Sequence, residues 1–129
     1  MKICIVDDEK IILDMYGEKL SALGYQVFKY TSSREAFKSI PKDMPDLILL
    51  DIIMPELDGF DLMKKIRKIN GCEKIPIIFL TNLDDGDSRE KAVKLGALYY
   101  INKSEYLPSD LSKLVKEVLT VKKTTDEIS

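Results

Sequence analysis

Short apolar runs that each lead to a polar residue constrain the fold of this chain more than any other feature of its sequence. Four runs of this kind occur, at residues 3–6, 47–50, 77–80 and 98–101. The polar residues that follow them, in chain order, are Asp7 and Asp8, Asp51, Thr81 and Lys103. Such runs are typical of strands buried on both faces of a parallel sheet. Because functional groups gather outside the carboxyl ends of these strands, we expect residues far apart in the sequence to meet in one crevice.

The apolar runs alternate with helical patterns along the whole chain. Strands are predicted over residues 2–6, 26–30, 47–50, 77–80 and 98–101. Helices are predicted over residues 10–23 with Gly24 as C-cap, from a Ser32 or Ser33 cap to Ile40, over 60–69, over 88–95 closed by Gly96, and from a Ser109 or Asp110 cap after Pro108 to Val121. This alternation predicts an α/β fold with a doubly wound parallel sheet and helices on both faces.

Length and composition predict one globular domain and exclude several classes of protein. We expect a single domain over residues 1–121 and a polar tail or linker start over residues 122–129. The net charge of -2 gives no basic footprint for nucleic acid. No apolar run approaches the ~20 residues of a membrane span, and the first strand leaves no room for a signal peptide, so we expect a cytoplasmic protein without membrane contact. The chain has no histidine, so any phosphohistidine must come from another protein.

Three of the strand-end residues are carboxylates, and their convergence predicts a metal site. Asp7, Asp8 and Asp51 would repel one another unless a cation lay among them. Hard oxygen ligands suit Mg2+, which also binds phosphate oxygens. A carboxylate can act as a nucleophile and form an aspartyl-phosphate. The Lys103 ammonium and the Thr81 hydroxyl would then bind the transferred phosphoryl group.

Several segments together resemble the receiver domain of bacterial two-component response regulators. The segments are residues 51–59 (DIIMPELDG), 6–9 (VDDE), 89–97 (REKAVKLGA) and 100–103 (YINK). The resemblance covers essentially the whole chain and implies a flavodoxin-like fold with strand order 2-1-3-4-5. It also implies that Asp51 is the phosphoacceptor and that Asp7, Asp8, Asp51 and the Ile53 carbonyl hold Mg2+. It implies that Thr81 and Tyr100 form a switch pair and that Lys103 is the lysine of the site.

The resemblance also implies partners. The phosphodonor would be a sensor histidine kinase or a phosphotransfer protein. Phosphorylation would change the face formed by the fourth helix, fifth strand and fifth helix, which would bind a downstream protein or output domain, or a second copy in a phosphorylation-dependent homodimer. The function implied is a signalling switch and not a turnover enzyme.

Three features depart from the receiver pattern. Asn82 follows the switch hydroxyl, where the family usually has alanine or glycine. Ser104 follows Lys103 in place of a common proline with a cis bond, and we predict a trans bond here, since a cis bond before a non-proline residue costs about 2.5–4 kcal/mol. The third departure is an acidic cluster after the fourth strand, at Asp84, Asp85 and Asp87.

Two other functions compete with the receiver interpretation. The first is a phosphohydrolase with an aspartate nucleophile of the haloacid-dehalogenase type. Such an enzyme usually needs a second aspartate two residues after the nucleophile, and position 53 is Ile53. The second is a degenerate receiver that binds partners without phosphorylation, which the presence of Asp8, Asp51, Thr81 and Lys103 disfavours.

Overall fold

Five parallel strands form one sheet in the computed structural model, which describes the backbone of residues 1–128 and the side chains of residues 1–123. The strands are β1 (Lys2–Val6), β2 (Gln26–Tyr30), β3 (Leu47–Leu50), β4 (Ile77–Thr81) and β5 (Tyr99–Asn102). The helices are α1 (Lys10–Ala22), α2 (Ser33–Asp43), α3 (Gly59–Arg67), α4 (Gly86–Lys94) and α5 (Pro108–Ile128). The order β2-β1-β3-β4-β5, with parallel pairing throughout, confirms the predicted flavodoxin-like fold.

The three central strands carry the core on both of their faces. Residues of β1, β3 and β4 alternate between two apolar clusters, so that Ile48 packs on the side of α2 and α3 while Leu49 packs on the side of α1 and α5. Every residue of β3 and β4 is buried, as the continuous apolar runs predict for strands covered on both faces. This burial holds the carboxyl ends of the central strands in fixed positions.

The outer strands differ from the central ones. Each has a neighbour on one side only, and β2 has no fully buried residue. The fifth strand begins one residue later than predicted, because its pairing with β4 starts at Tyr99. Leu98 lies before the paired segment and is 46% exposed. Apolar residues at this edge therefore lie at the surface, which the apolar run by itself did not indicate.

Helix α2 runs past the predicted end at Ile40. Its start is as predicted, since the Ser32 side chain caps it by accepting a hydrogen bond from the Glu35 N–H. Pro41 lies inside the helix, where it removes one backbone donor without ending the helix. The end comes at Met44, whose N–H bonds the Ile40 carbonyl at 2.9 Å and whose φ is 46°.

Helix α5 begins and ends differently from the prediction. Pro108 is its first residue, where a missing N–H is tolerated. Asp110 lies inside the first turn and accepts a hydrogen bond from the Leu107 N–H, so it is not the N-cap residue that we expected. The helix continues through Ile128 beyond the predicted Val121, because loss of apolar periodicity does not by itself end a helix. The division into residues 1–121 and 122–129 remains a prediction, and Ser129 lies outside the described residues.

No helix within the described residues is both long and apolar enough to cross a membrane. Cys4 and Cys72 are both buried and free.

Candidate functional site

The strand register brings the predicted acidic residues together. Val6 pairs with Leu50 across β1 and β3, and the Asp51 N–H donates to the Val6 carbonyl at 3.0 Å. Both strands end at this level, so Asp7 and Asp51 leave the sheet side by side. Asp8 completes a group in which one carboxylate oxygen from each residue lies within 4.8 Å of the other two. The predicted convergence of the three carboxylates is therefore present in the fold.

Two of these carboxylates are buried and one is exposed. Asp7 is 2% exposed and Asp51 is 5% exposed, whereas Asp8 lies at the surface. Backbone donors hold the buried pair, since Asp7 accepts a hydrogen bond from the Glu9 N–H at 2.9 Å and Asp51 from the Ile52 N–H at 2.7 Å. One oxygen of each buried carboxylate is thereby fixed, and the other faces the shared space.

The Lys103 ammonium lies among the acidic residues. Its Nζ is 2.6 Å from Asp7 Oδ2, 3.1 Å from Asp51 Oδ2 and 3.6 Å from Glu9 Oε1. The side chain is only 4% exposed, and the Lys103 N–H bonds the Thr81 carbonyl at 2.9 Å. Lysine carries the compact charge that buried carboxylates need, because an uncompensated buried charge is very costly. Lys103, which follows β5, therefore places a cation between the ends of β1 and β3.

Burial and neighbouring charges have opposite effects on the pKa values of Asp7 and of Lys103. Burial raises the pKa of Asp7, and the Lys103 contact opposes this shift without cancelling it. Burial lowers the pKa of Lys103, but the carboxylates of Asp7 and Asp51 outweigh burial and raise it overall. Lys103 therefore stays protonated near neutral pH, as a phosphoryl-binding cation must.

The donor set fits a hard divalent cation. Three carboxylate oxygens within 4.8 Å match the all-oxygen ligation that Mg2+ and Ca2+ require. Asp8 makes no hydrogen bond or ion pair with any residue of the described part of the chain, so it is available as a ligand without breaking a contact. The role of the Ile53 carbonyl stays a prediction.

Close backbone packing explains the glycine at the end of the loop that follows Asp51. A Cβ atom on Gly59 would lie 2.2 Å from the Asp51 carbonyl oxygen and 2.8 Å from the Ile52 Cα. The Gly59 N–H donates to the Ile52 carbonyl at 2.8 Å. Gly59 is also the first residue of α3, after the Asp58 cap. The helix start is therefore pressed against the residues that hold the Asp51 carboxylate.

Thr81 and Tyr100, the expected switch pair, both bond the backbone of one residue, Leu83. Thr81 is fully buried, and its Oγ1 accepts a hydrogen bond from the Leu83 N–H at 3.1 Å. The Tyr100 hydroxyl donates to the Leu83 carbonyl. Burial raises the pKa of Tyr100, with a further contribution from Asp85, so the phenol remains a donor. The backbone link through Leu83 was not predictable from the sequence pattern.

An open cleft borders the site between the loops after β3 and β4. Its volume is about 440 Å³. Ile53, whose side chain is 60% exposed, and Leu83 both line it. The two positions that follow Asp51 and Thr81 by two residues are thus apolar and face the same cleft. Neither side chain can orient a water molecule by hydrogen bonding.

Sequence reasoning missed two residues of the site. Glu9 lies within 3.6 Å of the Lys103 ammonium, and its position directly after the Asp7–Asp8 pair was a usable signal. Asn102 is 9% exposed, and its Oδ1 accepts from the Ser104 N–H at 2.9 Å and from the Ser104 hydroxyl at 2.6 Å. These two hydrogen bonds from Ser104 to the Asn102 side chain form a turn around Lys103, where no proline is present. The described residues contain no cis peptide bond, which confirms the predicted trans bond before Ser104.

Comparison with known proteins gives a consistent result. The family model of the response regulator receiver domain matches residues 3–118. A probable transcriptional regulator, ycf27, from Guillardia theta is 38% identical over 118 residues, which are 92% of this chain and 45% of that protein. The alkaline phosphatase synthesis transcriptional regulatory protein PhoP of Bacillus subtilis is 34% identical over 120 residues, 92% of this chain and 48% of that protein. The chain thus spans about half the length of these curated relatives.

Solved structures agree in fold. A CheY-like response regulator receiver domain protein from Methanospirillum hungatei has a TM-score of 0.88 at 29% identity, covering 96% of this chain and 97% of that chain. The chemotaxis protein CheY4 of Vibrio cholerae has a TM-score of 0.84 at 29% identity, covering 91% and 97% of the two chains.

Proposed function

Since this chain belongs to the response regulator receiver domain family, we propose that it is a signalling switch that takes a phosphoryl group onto the Asp51 carboxylate. The observation that carries the proposal is the group of three carboxylates at the carboxyl ends of β1 and β3, two of which, Asp7 and Asp51, contact the buried Lys103 ammonium. The domain of residues 1–121 would be the unit that is phosphorylated.

Asp51 is the best-suited nucleophile of the three carboxylates. One of its oxygens is held by the Ile52 N–H at 2.7 Å, and the other contacts the Lys103 ammonium at 3.1 Å. That second oxygen attacks phosphorus. The phosphorus–nitrogen bond of a phosphohistidine breaks, its electron pair stays on the departing imidazole, and an acyl phosphate forms on Asp51.

Asp7, Asp8 and Asp51, with the Ile53 carbonyl, would hold Mg2+. When bound, Mg2+ draws charge from the phosphoryl oxygens. The Lys103 ammonium, on the β5 side of the site, would offset the remaining negative charge of the phosphoryl oxygens. Because Lys103 contacts Asp7 and Asp51 directly, we infer that this ammonium moves towards the phosphoryl oxygens when the site is loaded.

The hydrogen bonds of Leu83 support a specific route for the switch. Thr81 Oγ1 accepts from the Leu83 N–H, so the Thr81 hydroxyl proton remains free to donate to a phosphoryl oxygen. A shift of Thr81 towards the phosphoryl group would pull on the Leu83 N–H, and the carbonyl of the same residue accepts the Tyr100 hydroxyl bond. Tyr100 would then change position, and with it the face of α4, β5 and α5.

Exposed apolar side chains support two proposed partners, a downstream protein and a phosphohistidine donor. Val93, Leu98 and Tyr99 are 70%, 46% and 45% exposed on α4 and at β5, as suits a surface for an output domain or a second copy. Ile11 is 86% exposed on the first turn of α1, close to Asp8. A phosphohistidine donor has to reach Asp51, so a histidine kinase or phosphotransfer protein would dock around this end of the sheet. A cytoplasmic location is part of the proposal.

Uptake of phosphate in the presence of Mg2+ and acetyl phosphate tests the function. We expect one acid-labile phosphoryl adduct by intact mass, complete loss of it in Asp51→Asn, and retention of it in Asp58→Asn, a control in the same loop. Uptake by Asp51→Asn at the normal rate would contradict the assignment. Continuous phosphate release would indicate the phosphohydrolase instead, and no reaction would indicate a degenerate receiver.

A further inference from the structure

A pocket of about 440 Å³ lies between α2, α3 and the loop that joins β3 to α3. We call it the α2–α3 pocket and define it by the residues that line it: Arg34, Phe37, Lys38, Glu56, Leu57 and Lys65. None of these side chains belongs to the group of residues that we propose for phosphorylation. The pocket therefore has no part in the function proposed above.

The charges of the α2–α3 pocket oppose the charge of the whole protein. The chain carries a net charge of -2, yet three cations and one carboxylate line this pocket. Arg34 pairs with Glu56 at 2.7 Å. Lys38 and Lys65 have no carboxylate partner among the described residues, so two uncompensated positive charges face one cavity.

The floor of the α2–α3 pocket is apolar. Phe37 and Leu57 are half-buried and pack against the larger apolar cluster. The Lys65 ammonium lies 5.7 Å from the centre of the Phe37 ring, within cation–π range. An apolar side chain that entered the pocket would contact the Phe37 ring. Carboxylates on either side of it would then lie near Lys38 and Lys65.

The loop that forms one wall is held in place by α2. Glu56 has a φ of 71°, a conformation that is uncommon for residues other than glycine. The Arg34 ion pair and a hydrogen bond from the Ser33 hydroxyl to the Pro55 carbonyl, at 3.5 Å, connect α2 to this loop. The cavity is thus formed before any ligand binds, which lowers the cost of binding.

We propose that the α2–α3 pocket is a docking site for an acidic protein segment that places one apolar side chain between Phe37 and Leu57. The two unpaired lysines provide charge complementarity to carboxylates on both sides of that side chain. A nucleic acid fits these observations less well, because the rest of this acidic protein repels a polyanion and the apolar floor contributes nothing to phosphate contacts. The site binds whether or not Asp51 is phosphorylated.

Titration of unphosphorylated, isotope-labelled protein with a capped peptide of one phenylalanine flanked by glutamates tests the proposal. We expect saturable amide shifts in α2, in the loop around Glu56 and near Lys65. The double variant Lys38→Glu/Lys65→Glu should weaken binding at least roughly tenfold, or about 1.4 kcal/mol. The matched control Lys42→Glu/Lys68→Glu makes the same charge change on α2 and at the C-cap of α3, outside the pocket. It should bind within about twofold of the unaltered protein.

Several outcomes would overturn this proposal. They are an absence of saturable shifts, shifts centred elsewhere, or equal weakening in the control variant. Equal binding of a peptide with serine in place of phenylalanine would show that charge alone acts and that no pocket is used. Tighter binding of a DNA duplex at the same residues would replace the acidic segment with nucleic acid. Since no phosphodonor is present, none of these results depends on the phosphorylation of Asp51.

Discussion

Two strand–loop–helix units of similar design lie side by side in this protein and differ sharply in how their helices are anchored. The β3–α3 unit covers residues 47–67 and the β4–α4 unit covers residues 77–94. Both strands are buried, both helices have nine residues, and both helices begin with an aspartate cap followed by glycine. Yet α3 buries five residues in the core, whereas α4 buries only Ala92.

This difference assigns separate tasks to the two units. The β3–α3 unit holds Asp51 in a packed frame, which suits the precise placement that the proposed nucleophile needs. The β4–α4 unit carries Thr81 in a buried strand but ends in a helix with few core contacts, and such elements open or shift at low cost. We therefore expect phosphorylation of Asp51 in the β3–α3 unit to move the β4–α4 unit.

The largest expected effect concerns the proposed Mg2+ site, to which the β3–α3 unit would contribute Asp51. Asp8→Ala removes the exposed carboxylate ligand, so we expect Mg2+ affinity to fall by at least roughly a hundredfold, about 2.7 kcal/mol. Lys103→Ala removes a cation that contacts Asp7 and Asp51, so Mg2+ binding should be retained or strengthened while the switch response is impaired. Calorimetric titration of both variants measures this, and equal loss of affinity in the two would contradict the separate roles.

The two helix-start glycines test the comparison directly. Gly59→Ala places a Cβ 2.2 Å from the Asp51 carbonyl oxygen, so we expect a loss of at least about 2 kcal/mol in the free energy of unfolding. Gly86→Ala is the matched change in α4, where nothing lies within 4 Å of the added atom, and it should change stability by no more than about 0.5–1 kcal/mol, in the stabilising direction. Urea unfolding followed by circular dichroism compares them; similar losses would mean that α4 is packed as tightly as α3.

We expect the lifetime of the phosphorylated state to depend on one residue from each unit. Hydrolysis needs a water molecule aligned opposite the Asp51 oxygen, and neither Ile53 nor Leu83, which line the cleft beside the site, can orient one. We expect Ile53→Asn with Leu83→Glu to shorten the lifetime at least roughly tenfold, or about 1.4 kcal/mol of barrier. Phosphate release from purified phosphoprotein measures it. Unchanged decay would show that both side chains only pack against their loops.

The smallest expected effect concerns the two aspartate caps. Asp58 caps α3 through the Asp61 N–H at 2.9 Å, and Asp85 caps α4 through the Ser88 N–H at 2.8 Å. Loss of either cap by substitution with alanine costs about 1 kcal/mol. In α3 this cost should appear in global unfolding, whereas in α4 it should appear mainly as faster amide exchange confined to that helix. Equal global losses would mean that α4 unfolds together with the core.

The sequence by itself determined the order of the elements and the convergence of the strand-end side chains at one edge of the sheet. Continuous apolar runs specified the buried strands, and parallel pairing brings strand ends to one edge, so Asp7, Asp51 and Lys103 could be predicted to converge. Glycine and serine signals also identified several helix ends, such as the Ser32 cap of α2. These features depend on local patterns, which a single chain displays directly.

The tertiary structure decided how these parts contact one another. Pro41 inside α2 and the extension of α5 past Val121 show that helix continuation depends on the whole turn of hydrogen bonds and not on one residue type. The position of the Lys103 ammonium 2.6 Å from Asp7 and the bridge from Thr81 through Leu83 to Tyr100 each join residues from different elements. The same holds for the contrast between α3 and α4, because burial depends on which neighbours the fold supplies, and periodicity along one helix does not contain that information.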